Sequence, residues 1–271
     1  MISNAVIAAC LVSLFVSLVL PVLALILFAG KNRKQGIVSA WLLGATGFFV
    51  TQILIRVPIL TALQSRSWFL SFAQNHMFLY AFGLAFTAGL FELAGRFAVA
   101  KLLQKNLTCR RALAAGLGHG GIEAMLLVGV TYINNLVYIF MINSGTFDTV
   151  LAQTAAMGVD VTQLEMIRTQ LLSSSPVLFL LGGFERILAM TAHTAMSVLV
   201  CYGVYAKKVL PCTLICLGIH TFIDLTAGLT LVLPQTTAYF VIYTILTAVA
   251  VVSVLILKHI RRNWKEVPHE Q

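Results

Sequence analysis

Residues 4–29 read NAVIAACLVSLFVSLVLPVLALILFA, twenty-six positions without one charged side chain. A bilayer's hydrocarbon is roughly 30 Å thick, and a helix rising 1.5 Å per residue needs about 20 apolar residues to cross it. Working outward, comparable runs recur to the end of the chain and predict seven helices, over 4–29, 37–60, 74–104, 111–141, 176–205, 210–232 and 237–258. Of the 271 residues 59% are hydrophobic and only 10% charged, with a mean hydropathy of +0.94. A soluble domain carries nearer a quarter of charged residues. The expected fold class is all-α: a polytopic membrane protein forming one integral membrane domain over 1–271. The alternating segments of about 10 residues that build an outer-membrane barrel are missing. Residues 1–4 hold no basic stretch and the first run is too long for a cleaved signal core, so it reads as a retained span.

The formal net charge of +9 would point to nucleic acid in a soluble protein; here its distribution points to topology. Thirteen of the eighteen Lys and Arg fall in alternate breaks: Lys31, Arg33 and Lys34; Lys101, Lys105, Arg110 and Arg111; Lys207 and Lys208; Lys258, Arg261, Arg262 and Lys265. The positive-inside rule then predicts an exterior N-terminus and a cytoplasmic C-terminus, in a cell membrane of bacterial cytoplasmic type, with lipid and not nucleic acid as the partner. The long break, Asn143 to Ser175, is expected outside. There Asp160 and Gln163 have capping-box spacing ahead of Leu164, Ile167 and Leu171, predicting one short interfacial helix. Five cysteines form no CxxC pair; Cys212 and Cys216 share a helix face, but in apolar runs Cys acts as a small hydrophobe.

Four of the nine acidic residues, Glu92, Glu123, Glu185 and Asp224, lie within predicted spans, as do His119, His193, His220, Arg96 and Arg186. Each ionisable group in hydrocarbon costs about 2.5–3.5 kcal/mol, so such groups face partners or wet cavities and mark function. His119, His220, His193 and Glu92 fall roughly 13–18 Å from the basic ends of four helices, a single layer. His119-Gly-Gly-Ile-Glu123 and His220-Thr-Phe-Ile-Asp224 repeat one pattern, and i to i+4 spacing sets each pair on one face. Glu92 and Arg96 share that interval, with Arg96 and Arg186 expected in structural ion pairs.

Three neutral imidazoles at one depth can hold Zn²⁺ with a fourth position open, the form of a catalytic site. Glu92, Glu185 and Asp224 would orient the rings or serve as alternative ligands, and a carboxylate one turn away would take a proton from water. Two other readings fit the same residues: a transporter with a proton or metal relay, and a scaffold in which the polar layer is interhelical glue. Gly116, Gly118, Gly120 and Gly121 lack the strand and Lys of a phosphate loop and predict close helix packing. Gly182 and Gly183 either bend the fifth helix or admit a neighbour. The run Trp68 to Tyr80 reads as an interfacial aromatic belt, and Ser197 has no acid spaced to complete a triad with His193.

At Gly118-His119-Gly120-Gly121-Ile122-Glu123, then Glu185 with His193, then His220-xxx-Asp224, the chain resembles the YhfC family of intramembrane metalloproteases over about seven spans. That family is related to the CAAX-processing and PrsW-type membrane proteases. The resemblance implies cleavage of a peptide bond in a membrane-embedded or membrane-associated substrate. It gives Glu123 the role of catalytic base, His193 and His220 that of metal ligands, and Asp224 that of supporting the last motif. The sequence departs from the commoner CAAX pattern: Phe91-Glu92-Leu-Ala-Gly-Arg96 only partly echoes Glu-Glu-xxx-Arg, and Ala189 stands where Phe often precedes the second histidine. With His119 as third ligand, the expected activity is that of a zinc peptidase. Substrate and oligomeric state are not legible.

Overall fold

The computed structural model describes residues 1–33 and 35–264; Lys34 and Lys265, counted above among the basic residues, lie outside them. The described residues contain helices and no strand. Seven helices among them are long and apolar enough to cross a membrane: Asn4–Lys31, Ile37–Gln64, Met77–Asn106, Cys109–Ser144, Pro176–Tyr205, Val209–Leu231 and Gln235–Asn263, called here the first to seventh spans. The chain is thus all-α and polytopic, as expected.

Where the ends differ from expectation, the cause is local. The seventh span continues to Asn263, with Arg261 and Arg262 in its last turn. Outside hydrocarbon a basic residue is a good helix former, and at a C-terminus it complements the helix dipole, so charge ends the span without ending the helix. The third span starts at Met77 because His76, at φ −133° and ψ 51°, breaks it from a separate helix, Ser67–Asn75. The aromatic run straddles that break, with Phe69 edge-on to Trp68 and Tyr80 at 5.6 Å each.

The long loop corrects the expectation of a single helix: it forms two, Thr146–Ala156 and Thr162–Ser173. The Asp160/Gln163 capping box is not made. Asp160 Oδ1 instead accepts from the Thr162 hydroxyl at 2.6 Å and the Thr162 N–H at 2.9 Å, an Asx turn just ahead of the helix. Both bonds favour the ionised carboxylate, the hydroxyl's more than the amide's, and hold the Asp160 pKa below its ordinary value.

The chain forms two compact units. The first combines Met1–Val22 with Ala124–Ile187. Its core contains Ile2, Val6, Cys10, Tyr132, Ile139, Leu171 and Phe179. A Cβ on Gly182 would strike the Tyr132 hydroxyl, and one on Gly183 would strike Ser13. The glycines therefore admit neighbours. Both hydroxyls reach the Phe179 carbonyl, Tyr132 at 2.6 Å and Ser13 at 2.7 Å. Arg186 is paired with the adjacent Glu185 in this unit, and Arg168 with Asp148.

The second unit combines Leu23–Glu123 with Leu188–Gln271. Residues 192–201 of the fifth span are buried without interruption, His193, Thr194 and Ser197 among them. Met196, Val200 and Cys201 of this stretch form one apolar cluster with Ala100, Ala112, Val204, Cys212, Cys216 and Ile260, and Cys212 and Cys216 are free thiols within it. The second and fourth spans touch backbone to backbone: a Cβ on Gly44 would run into the Ala115 carbonyl, and one on Gly118 into that of Trp41. Gly116 and Gly120 meet the fifth span at Thr194, Met190 and His193 in the same way. The glycine run is a packing device, as small residues are in membranes generally, and it draws three spans together beside His119.

Candidate metal centre

The third span brings Glu92 and Arg96 to the interior of the second unit, the fourth His119 and Glu123, the fifth His193, the sixth His220 and Asp224. Glu92, Arg96, His119, Glu123, His193 and His220 are all buried, each 8% exposed or less. Asp224 is partly open, its side chain 34% exposed.

Glu92 is the hub. Its Oε2 lies 2.8 Å from Arg96 Nη2, 3.0 Å from His119 Nε2, 3.4 Å from His193 Nδ1 and 2.8 Å from His220 Nε2. Its Oε1 accepts from Gln52 Nε2 at 2.7 Å. His193 Nε2 faces Glu123 Oε2 at 3.1 Å, and His220 Nδ1 stands 3.4 Å from Asp224 Oδ2. The rings are locked by one another: His119 stacks on His193 at 5.7 Å and 20°, His220 meets His193 edge-on at 5.3 Å, and Phe48 packs edge-on to His119 at 5.3 Å.

The structure thus gathers His119, His193, His220, Glu92, Glu123 and Asp224 from the expected set, with Arg96 paired to Glu92. Glu185 and Arg186 belong to the first unit, paired with each other. Two contributors were not anticipated. Gln52 sits in a π-helical stretch of the second span, Phe49–Arg56, and Arg56 one turn on bonds the Leu84 carbonyl at 2.7 Å and Gln52 Oε1 at 3.4 Å. Their signal was present, since an amide and a guanidinium inside a span are themselves expensive. Ser197 Oγ is buried without a hydrogen-bond partner among the described residues, so it is not part of a triad there.

The donor chemistry fits a divalent cation. One ligand atom each from Glu92, His119, Glu123 and His193 lies within 4.8 Å of every other, close to what bonds of about 2.0–2.2 Å to a shared ion need. His220 is not one of these four. Its Nε2 nonetheless approaches Glu92 Oε2 at 2.8 Å without hydrogen-bond alignment, and neither of its ring nitrogens has an aligned partner. Buried nitrogens so placed call for a further partner. Arg96 adds a constraint on His193. A guanidinium only donates, so its 2.7 Å contact makes Nδ1 the acceptor and leaves the neutral ring's proton on Nε2. Ligation through Nε2 requires the other tautomer, whose Nδ1–H has Glu92 Oε2 at 3.4 Å as its acceptor, the usual carboxylate–histidine–metal relay. The Arg96 contact and Nε2 ligation are therefore mutually exclusive.

These observations define the class: a polytopic helical membrane protein carrying a buried histidine–carboxylate centre suited to a metal. Residues 16–246 match the family described as YhfC intramembrane metalloprotease, and the chain belongs to that family. It is similar to the uncharacterized membrane protein YhfC of Bacillus subtilis (strain 168), at 32% identity over 195 residues that cover 71% of this chain and 73% of that one. The protein is integral to the membrane.

Proposed function

We propose that the protein is a zinc-dependent peptidase cleaving peptide bonds in or near the bilayer. The observation that carries this reading is the convergence of three imidazoles on one buried carboxylate oxygen, with a second carboxylate 3.1 Å from His193. His119, His193 and His220 are the proposed ligands, with Glu92 orienting the rings or acting as a further ligand. Asp224 steadies His220 and Arg96 holds Glu92; ligation through His193 Nε2 requires the Arg96 contact to Nδ1 to give way to Glu92 Oε2. Bound zinc would polarise the scissile carbonyl and lower the pKa of a water molecule toward 7. Glu123 would take the proton of the attacking water as the C–O bond forms and would deliver it to the departing amine as the C–N bond breaks. Burial keeps bulk water away, so charge developing near Glu123 and Arg96 is weakly screened.

Metal analysis tests the reading directly. Purified protein should carry about one zinc per chain, and a chelator should remove it together with hydrolysis of a quenched-fluorescent membrane-spanning peptide. Zinc that leaves without change in hydrolysis, or flux of zinc into liposomes, would replace the peptidase by another function.

The proposed orientation puts the N-terminus outside and the C-terminus in the cytoplasm of a bacterial cytoplasmic membrane, on the basic residues at one set of helix ends. Cysteine placed at exposed Thr149 should react with an impermeant reagent from outside, and cysteine at exposed Asn263 only after lysis. The five native cysteines are buried and give a quiet background. Labelling of both sites from one side would overturn the arrangement.

A further inference from the structure

At the basic helix ends of the second unit a cavity of about 610 Å³ opens among the ends of the first, fourth and seventh spans. Lys31, Arg110 and Arg261, one from each span, line it together with Phe28, Leu113 and Trp264. All three cations are exposed, and none is paired with a carboxylate among the described residues. Trp264 is buried and fixed, stacked on Tyr205 at 4.7 Å and 18°. Three like charges around one hollow repel unless they share an anion, and the hollow is of small-molecule size, within roughly 300–1,000 Å³.

We propose that this cavity binds the phosphate-bearing headgroup of an anionic glycerophospholipid. The cations would engage the phosphate, while Phe28, Leu113 and Trp264 cover the glycerol region. Acyl chains would lie along the same helices, where Ile26 and Leu27 of the first span and Leu255 of the seventh are well exposed. A basic pocket between spans at the headgroup level is the arrangement that selects anionic lipid over a merely basic surface. The inference is independent of the metal centre, which uses none of these residues.

Titrating the full-length protein in zwitterionic nanodiscs with phosphatidylglycerol, and reading bound lipid by native mass spectrometry, tests it. Lys31→Gln/Arg110→Gln/Arg261→Gln should weaken phosphatidylglycerol binding about tenfold or more, with zinc content and melting temperature unchanged. Lys101→Gln/Lys105→Gln/Arg262→Gln removes three exposed cations outside the cavity lining and should leave binding near wild type. Equal weakening by both triples would reduce the effect to diffuse surface potential and overturn the site. Equal binding of phosphatidylcholine would overturn the charge selection. If inorganic phosphate at matched concentration displaces the lipid from wild type, the cavity is a soluble-anion site and the lipid assignment fails.

Discussion

Replacing His193 and His220 together by alanine is expected to take bound zinc from about one per chain to near none at neutral pH. The two rings are the proposed nitrogen donors from the fifth and sixth spans, and His220 Nε2 lies 2.8 Å from the hub oxygen Glu92 Oε2. The fold should survive the change. The Arg96–Glu92 pair at 2.8 Å and the Gln52 bond to Glu92 at 2.7 Å are untouched, so the hub carboxylate and its guanidinium keep each other as partners. Metal content and melting of the metal-free proteins check this. Zinc retained in full by the double variant would remove both residues as ligands, and zinc lost only with collapse of the fold would make the rings structural. In the wild type, acid should release zinc as pH falls, because only the neutral imidazole ligates.

Membrane insertion makes much of this legible in advance. A span is set by length and the absence of charge, so seven of them stand out at single-residue reading, as the first run did. Their ends do not, because the basic residues that stop hydrocarbon burial continue the helix; Arg261 and Arg262 are helical. The polar layer was visible for a thermodynamic reason: Glu92, His119, His193 and His220 are too expensive to be buried without a partner.

What could not be read was the wiring. Depth and i to i+4 spacing put Glu92 at the level of three imidazoles, yet only packing of the third span against the fourth, fifth and sixth makes its Oε2 the shared contact. Gln52 supports it from a π-helical stretch that no apolar period announces. The loop failed differently. Asp160 and Gln163 had the right spacing for a capping box, but the Thr162 hydroxyl and N–H were nearer partners for the Asp160 carboxylate.

Glu123→Gln separates binding from chemistry. The amide keeps the length and shape of the side chain and its place beside His193 Nε2, 3.1 Å from the native carboxylate. It cannot take a proton near neutral pH. If Glu123 is the base, the variant should hold its zinc and lose about 10²-fold or more in turnover of the membrane-spanning peptide, the usual scale of general-base catalysis. The competing role is real, because Glu123 is one of the four residues whose donor atoms lie within 4.8 Å of one another. A ligand Glu123 would lose zinc on the same substitution, and a bystander would lose neither zinc nor rate. His119→Ala supplies the contrast. One turn earlier on the same helix, its Nε2 faces Glu92 and not Glu123, so its removal should take metal and activity together. Normal zinc affinity in that variant would pass the third ligand position to Glu92, already within 3.4 Å of the other two rings. His119 would then be left to orient that carboxylate through their 3.0 Å contact.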